Sequence, residues 1–270
     1  MKDLIKCTLQ PTLEKPSLIV GWTEDPGKLG PNVIDYLNTK LMNRGFCQIN
    51  PVDFFSLGGV EIKGNVVRLP ESRFYSGARN DIITFMSDVP QYNHYKFLNA
   101  ILDVAQQYCN VEDMYTVSGL VSPITHTIPR RIFAVFNEPS MQEKLRGSSL
   151  HGITYEGPPH INSYLLWAAR KRGLRSVSLW PQIPFYLTAC EDPQAIKLTL
   201  AFLNRKLNLK MDLKEWDETV REQYVKISLL RARNPEVQTF IERLETGLSL
   251  TEEEEMKLVE EVPKFLRKKG

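Results

Sequence analysis

"YEGPPHINSYLLWAARKRGLRSVSLW", residues 155–180, reads as the end of a strand, a tight Gly-Pro-Pro turn, an amphipathic helix and a second strand closing on Trp180. The same alternation recurs on both sides of it. "SLIVGW" (17–22) is a short apolar run of the kind buried strands show, and "KLGPNVIDYLNTKLMNRG" after it is a helical stretch closed by Gly45. "RNDIITFMSD" predicts a central strand, "NHYKFLNAILDVAQQYC" a helix, "MYTVSGLV" and "RRIFAVFN" further strands, and "DPQAIKLTLAFLNRKLN" a further helix. Strands alternate with helices from about residue 17 to 208, which predicts a three-layer α/β/α fold with a mainly parallel central sheet. "VDFFSL" (52–57) and "NVVRLP" (65–70) flank Gly58, Gly59 and Gly64, the signature of a β-hairpin or β-arm. Phe54 and Phe55 are expected to be exposed on that arm and are candidate contacts to a neighbouring subunit.

Beyond Asn208 the pattern turns purely helical, so the chain is expected to divide into an α/β domain over 1–211 and a C-terminal helical extension over 212–270. The first tail helix opens at Asp212 with Glu215 three residues on, and its apolar face carries Trp216, Val220 and Ile227, which are further candidate interface residues. "NPEVQTFIERLETG" starts with Asn234 as cap and Pro235 at the first helical position and stops at Gly247. Thr251 and Glu254 form a capping box for the third helix, which runs from acid to base along its dipole.

A chain of 270 residues is long enough to bury roughly three quarters of its unfolded surface. A net charge of +2 offers no electrostatic case for nucleic acid, and no basic stripe interleaved with aromatics appears. The N-terminus has neither the apolar run nor the cleavage site of a secretory signal, and no stretch reaches 18 apolar residues, so the expectation is a cytoplasmic protein without a membrane partner. Cys7, Cys47, Cys109 and Cys190 lie too far apart in sequence for zinc or redox motifs and are expected to be buried reduced thiols.

Catalytic signatures are sparse. A phosphate cradle at the Gly157 turn would need backbone N–H donors that Pro158 and Pro159 lack. Gly27 and Gly30 do not have dinucleotide-fingerprint spacing, and Glu24 and Asp25 put negative charge where a phosphate would sit; Asp25 before Pro26 reads as a helix cap. His94, His126, His151 and His160 show no metal spacing, and no Gly-x-Ser-x-Gly elbow occurs. No cofactor, metal or catalytic set is therefore expected. A pocket at the C-terminal ends of the strands would draw on Trp22, Glu24, His126, Gly157, Asn162, Trp180 and Tyr186.

"VSPITHTIPRRIFAVF", the segment from Tyr155 to "LWPQIPFYL", and "DPQAIKLTLAFLNRKLNLKMDL" together resemble the bacterial and archaeal branch of the proteasome assembly chaperone 2 family. The matching elements are His126-Thr127-Pro129, Gly157-Pro158, Leu179-Trp180 and Pro184-Phe185-Tyr186. The resemblance implies a fold like that of purine nucleoside phosphorylases and hydrolases, in a family whose members assemble into oligomers and act as chaperones rather than catalysts. Members that dock onto proteasome rings often end in a hydrophobic residue, a tyrosine and any residue, whereas this sequence closes on Arg267-Lys268-Lys269-Gly270, so docking by that motif is not expected. The expected function is a non-enzymatic, self-associating scaffold or assembly chaperone acting on a multisubunit protein complex. The alternative is a small-molecule binder or enzyme using the strand-end pocket.

Overall fold

The computed structural model describes residues 4–56, 60–77, 81–154 and 160–267. These divide into two compact units. Unit 1 comprises residues up to Glu24, Gly30–Val117 and Ala134–Leu179; unit 2 comprises Asp25–Leu29, Ser118–Phe133 and the chain from Trp180 onward.

Unit 1 is built on a mixed, mostly parallel sheet flanked by helices. Its centre is β2 (Ser17–Trp22), hydrogen-bonded in parallel to β7 (Ile82–Ser87) on one side and β8 (Asp113–Val117) on the other; β8 in turn pairs in parallel with the first half of β12 (Arg175–Pro184). All six residues of β2 are buried, as a strand covered on both faces must be. One side of the sheet continues antiparallel through β6 (Ser72–Ser76), β3 (Arg44–Ile49) and β1 (Ile5–Cys7). The other side continues from β12 to β10 (Ile132–Phe136) and β11 (Leu150–Gly152).

The helices of this unit are α1 (Leu29–Leu41), α2 (His94–Asp103), the short α3 (Pro139–Lys144) and α4 (Ile161–Lys171). After Asp103, α2 widens into a π turn over Val104–Tyr108. The apolar faces of α2 and α4 close over Leu18, Val20, Phe74 and Phe85 in one continuous core. Strand β2 and helix α1 meet so closely that a Cβ on Gly30 would lie 2.7 Å from the Trp22 carbonyl oxygen. Only glycine permits that approach.

Two expectations for this unit are corrected. Residues 52–56 form no strand: Pro51–Asp53 make a 3-10 turn capped by the Asn50 side chain, and Leu57 lies outside the described residues. That turn swings Phe54 inward, fully buried with its ring 4.9 Å from Phe97, while Phe55 is half-buried beside the same ring. The hairpin itself is shorter, β4 (Glu61–Lys63) against β5 (Val66–Arg68), turning at Gly64 and Asn65 with φ of 58° and 62°. Cys7 and Cys47 face each other across β1 and β3 and are disulfide-bonded, whereas Cys109 and Cys190 are buried free thiols. Sequence distance concealed the first pair because antiparallel register brings it together.

Unit 2 contains β9 (Leu120–Ser122), which pairs in parallel with Gln182–Pro184 of β12, and four helices: α5 (Pro193–Lys206), α6 (Glu215–Arg233), α7 (Pro235–Glu245) and α8 (Glu252–Arg267). The tail helices pack within this unit, burying Ile227, Leu230, Val237, Ile241, Leu258 and Val262. Two caps form as expected. Asn234 accepts from the N–H groups of Glu236 and Val237, and Thr251 and Glu254 bond reciprocally. Helix α6 starts later than expected, at Glu215, with Asp212 accepting from the Lys214 N–H instead.

Candidate functional site

The residues expected to line a pocket sort into local hydrogen-bond networks. In unit 1, Trp22 ends β2 and donates its indole N–H to Asn162 Oδ1 at 2.7 Å; both side chains are buried. Asn162 is carried on the first turn of α4, where His160 Nδ1 accepts from its backbone N–H at 3.2 Å. The helix therefore starts at a histidine cap and not at a proline, and Gly157 lies outside the described residues. Glu24 is exposed at the close of unit 1.

In unit 2, Tyr186 is the hub. Its hydroxyl lies 2.7 Å from the backbone N of His126 and 3.0 Å from His126 Nδ1. The oxygen accepts the backbone N–H, and the hydroxyl and Nδ1 share a second hydrogen bond. Tyr224 of α6 donates to the His126 carbonyl at 2.6 Å, so the loop between β9 and β10 is held from two sides. Trp180 is half-buried. Of the expected interface residues on α6, Ile227 is fully buried and Trp216 and Val220 are half-buried, because the apolar stripe packs against unit 2 itself.

Two buried ionic groups were not legible in the sequence. Arg130 Nε meets Asp192 Oδ2 at 2.9 Å, with both side chains almost wholly buried, and its Nη1 also donates to the carbonyls of Thr125 and Ile128. The other Asp192 oxygen caps α5 by accepting from the Ala195 N–H. Asp25 caps nothing with its side chain. Its carboxylate accepts from Ser118 Oγ at 2.6 Å and from the Gly119 N–H, which interrupts the expected single strand 114–121 and separates β8 from β9.

Burial, reinforced by the positive charge of Arg231, lowers the His126 pKa from 6.5 to about 4; Glu245 opposes this and Arg130 adds to it. Burial also lowers His160 and pushes the Cys109 and Cys190 thiols up to about 12, which keeps both thiols protonated and unreactive. The sign for stability follows. Between pH 6.5 and 4 the unfolded chain binds a proton at residue 126 that the folded chain refuses, so stability falls as pH drops through that window. The His126 contribution amounts to about 3 kcal/mol in full, and His160 acts in the same direction. Urea unfolding between pH 7 and pH 4 should show this slope in the natural chain and a shallower one in His126→Phe. An equal slope in both would remove His126 as its source.

Two groups of exposed large apolar side chains in unit 1 stand together. The β4–β5 arm presents Ile62 and Val67 at 77% and 64% exposure, with Val66 and Leu69 beside them. A cleft of about 800 Å³ lies beyond the end of β7, between the first turns of α2 and α4, and is lined by residues including Val89, Tyr95, Lys96, Ile161 and Tyr164. Among the described residues, no group of three or more His, Cys, Asp or Glu side chains is placed to hold a metal ion, and no helix is long and apolar enough to cross a membrane.

Comparison with known proteins places this architecture. A protein of unknown function from Corynebacterium glutamicum is similar in structure with a TM-score of 0.78 at 17% identity, over 91% of this chain and 97% of that one. PbaB of Pyrococcus furiosus, an archaeal proteasome activator, superposes with a TM-score of 0.69 at 24% identity, over 86% of this chain and 99% of its own. A proteasome-assembly chaperone homologue of Mycobacterium tuberculosis gives 0.71 at 17% identity, over 83% and 99%. Comparison with curated proteins finds no match. The sequence pattern of the PAC2 family matches residues 18–230, most of both units, and the chain belongs to that family.

Proposed function

We propose that this chain is a non-enzymatic, self-associating scaffold of the assembly-chaperone kind, acting in the cytoplasm on a multisubunit protein complex. Two structurally similar proteins are described as a proteasome activator and a proteasome-assembly chaperone homologue, and a proteasome-like assembly is the client class proposed. The observation that carries self-association is the β4–β5 arm. A two-stranded hairpin is marginally stable by itself in water, yet this one pairs with no other strand among the described residues and turns Ile62, Val66, Val67 and Leu69 to solvent. A neighbouring copy that covers those side chains would remove both liabilities. The non-enzymatic part of the reading is supported by the use of the polar groups that would line a pocket, since Trp22 bonds to Asn162 and Tyr186 to His126.

Sedimentation velocity tests this directly. The natural chain is expected to sediment as an oligomer, and Ile62→Asp with Val67→Asp is expected to weaken self-association at least tenfold while leaving the far-ultraviolet circular dichroism unchanged. A natural chain that sediments as a single copy at all concentrations overturns the reading. Capture of the protein from its own cell extract should then recover a defined multisubunit complex in stoichiometric amount.

A further inference from the structure

An aromatic and cationic patch flanks the cleft between α2 and α4 and runs along α4 to its last turn. Tyr95 of α2 and Trp167 of α4 are 57% and 47% exposed, and their rings lie 6.0 Å apart across the two helices. Tyr92 and Tyr164 extend the patch. Lys171 sits over the Trp167 ring at 3.9 Å, and the exposed Arg170 precedes it. Helix α4 has no acidic residue, Asp103 of α2 pairs with Arg172, and Asp53 pairs with Lys96. The patch thus carries a surplus of positive charge that a second identical patch would repel. It calls for an acidic partner with an apolar side chain to lay over the paired rings.

One helix of this chain has that chemistry. In α8, Leu258, Val262 and Pro263 are buried, while Glu252, Glu253, Met256, Val259 and Glu260 are exposed. Met256 is 72% exposed, and Glu252, Glu253, Val259 and Glu260 each lie three or four residues from it along one helical stripe that ends at the buried Pro263. A methionine sulfur packs favourably on aromatic rings, and the glutamates one turn away on either side complement Arg170 and Lys171.

We propose that the aromatic patch flanking the cleft between α2 and α4 receives the acidic outer face of α8 from a second copy of this chain. The inference rests on the self-association reading and adds that one contact is heterologous, with different surfaces of the two copies meeting. The experiment is a charge swap on the full-length chain, read as the self-dissociation constant by sedimentation equilibrium at low salt. Arg170→Glu with Lys171→Glu should weaken association tenfold or more, as should Glu252→Lys with Glu253→Lys. The four changes together should recover most of the loss. All sites are on the surface, so circular dichroism should stay unchanged, while the urea midpoint should fall modestly because each pair reverses charges that favour its helix dipole.

A chain that never associates overturns this inference and the self-association reading together. An oligomer indifferent to both pairs of changes overturns this inference alone. Weakening by the cleft changes without recovery in the combined variant overturns α8 as the occupant and points to another partner, such as a client segment or a small molecule. Recovery in the combined variant supports the proposal, because two unrelated lesions do not cancel.

Discussion

Replacing Asp192 by alanine should destabilise unit 2 by about 3–5 kcal/mol, the usual cost of leaving one member of a buried ion pair without its partner. Arg130 would keep its donations to the Thr125 and Ile128 carbonyls, but its charge would remain in a place water does not reach. The same substitution removes the acceptor for the Ala195 N–H at the start of α5, adding about 1 kcal/mol. Hydrogen exchange reads the result locally: α5 amides that open through unfolding of unit 2 should lose protection by roughly 10²–10³-fold or more. Replacing both partners, Arg130→Met with Asp192→Leu, separates the pair's net contribution from the cost of an orphaned charge. It should be far milder than Asp192→Ala alone, since matched apolar replacements of buried pairs are often neutral. A double variant as damaged as the single one would show that the carboxylate acts mainly as the α5 cap and not as the arginine's counterion.

Gly30→Val should cost roughly 3 kcal/mol, at the upper end for overpacking a close-packed interior. The first atom of any side chain at residue 30 would meet the Trp22 carbonyl oxygen at 2.7 Å and the Trp22 nitrogen at 2.9 Å. Both are backbone atoms of the central strand and cannot rotate away. Helix α1 would have to lift from the sheet, and on the strand side Gly21 also approaches the Gly30 carbonyl, at 3.1 Å from where its own Cβ would stand. The expected outcome is a lower urea midpoint with an unchanged slope. The wider opening around Gly147, where no atom lies within 4 Å of an added Cβ, provides the control. Because Gly147 has φ of 75°, alanine there should cost only the backbone strain of about 1–2 kcal/mol. Equal losses at both positions would mean that conformation, and not the closeness of helix and strand, governs residue 30.

Several features of this protein were determined within short windows of its sequence. The Thr251–Glu254 box and the Asn234 cap join residues two or three positions apart, and the helices they open start where the sequence places them. Burial on both faces made β2 a continuous apolar run, and alternation of such runs with amphipathic stretches indicated an α/β sheet before any contact was known. Family membership was legible for the same reason: the segments from His126 to Leu213 that carry the resemblance fall within the matched residues 18–230.

Tertiary structure alone decided how the polar groups are used. Trp22 meets Asn162 across 140 residues, Ser118 meets Asp25 across 93, and Arg130 meets Asp192 across 62. No periodicity records such pairs, because each depends on the register in which distant strands and loops come together. Phe54 shows the same limit from the apolar side. Its neighbours read as an exposed arm, but a capped 3-10 turn directs it onto Phe97, while the exposed positions fall to Ile62 and Val67 eight residues or more beyond. Burial is a property of the closed chain. Hydrogen bonding at a helix end is a property of four neighbouring residues, and that difference in range separates what the sequence determined from what only the folded structure decided.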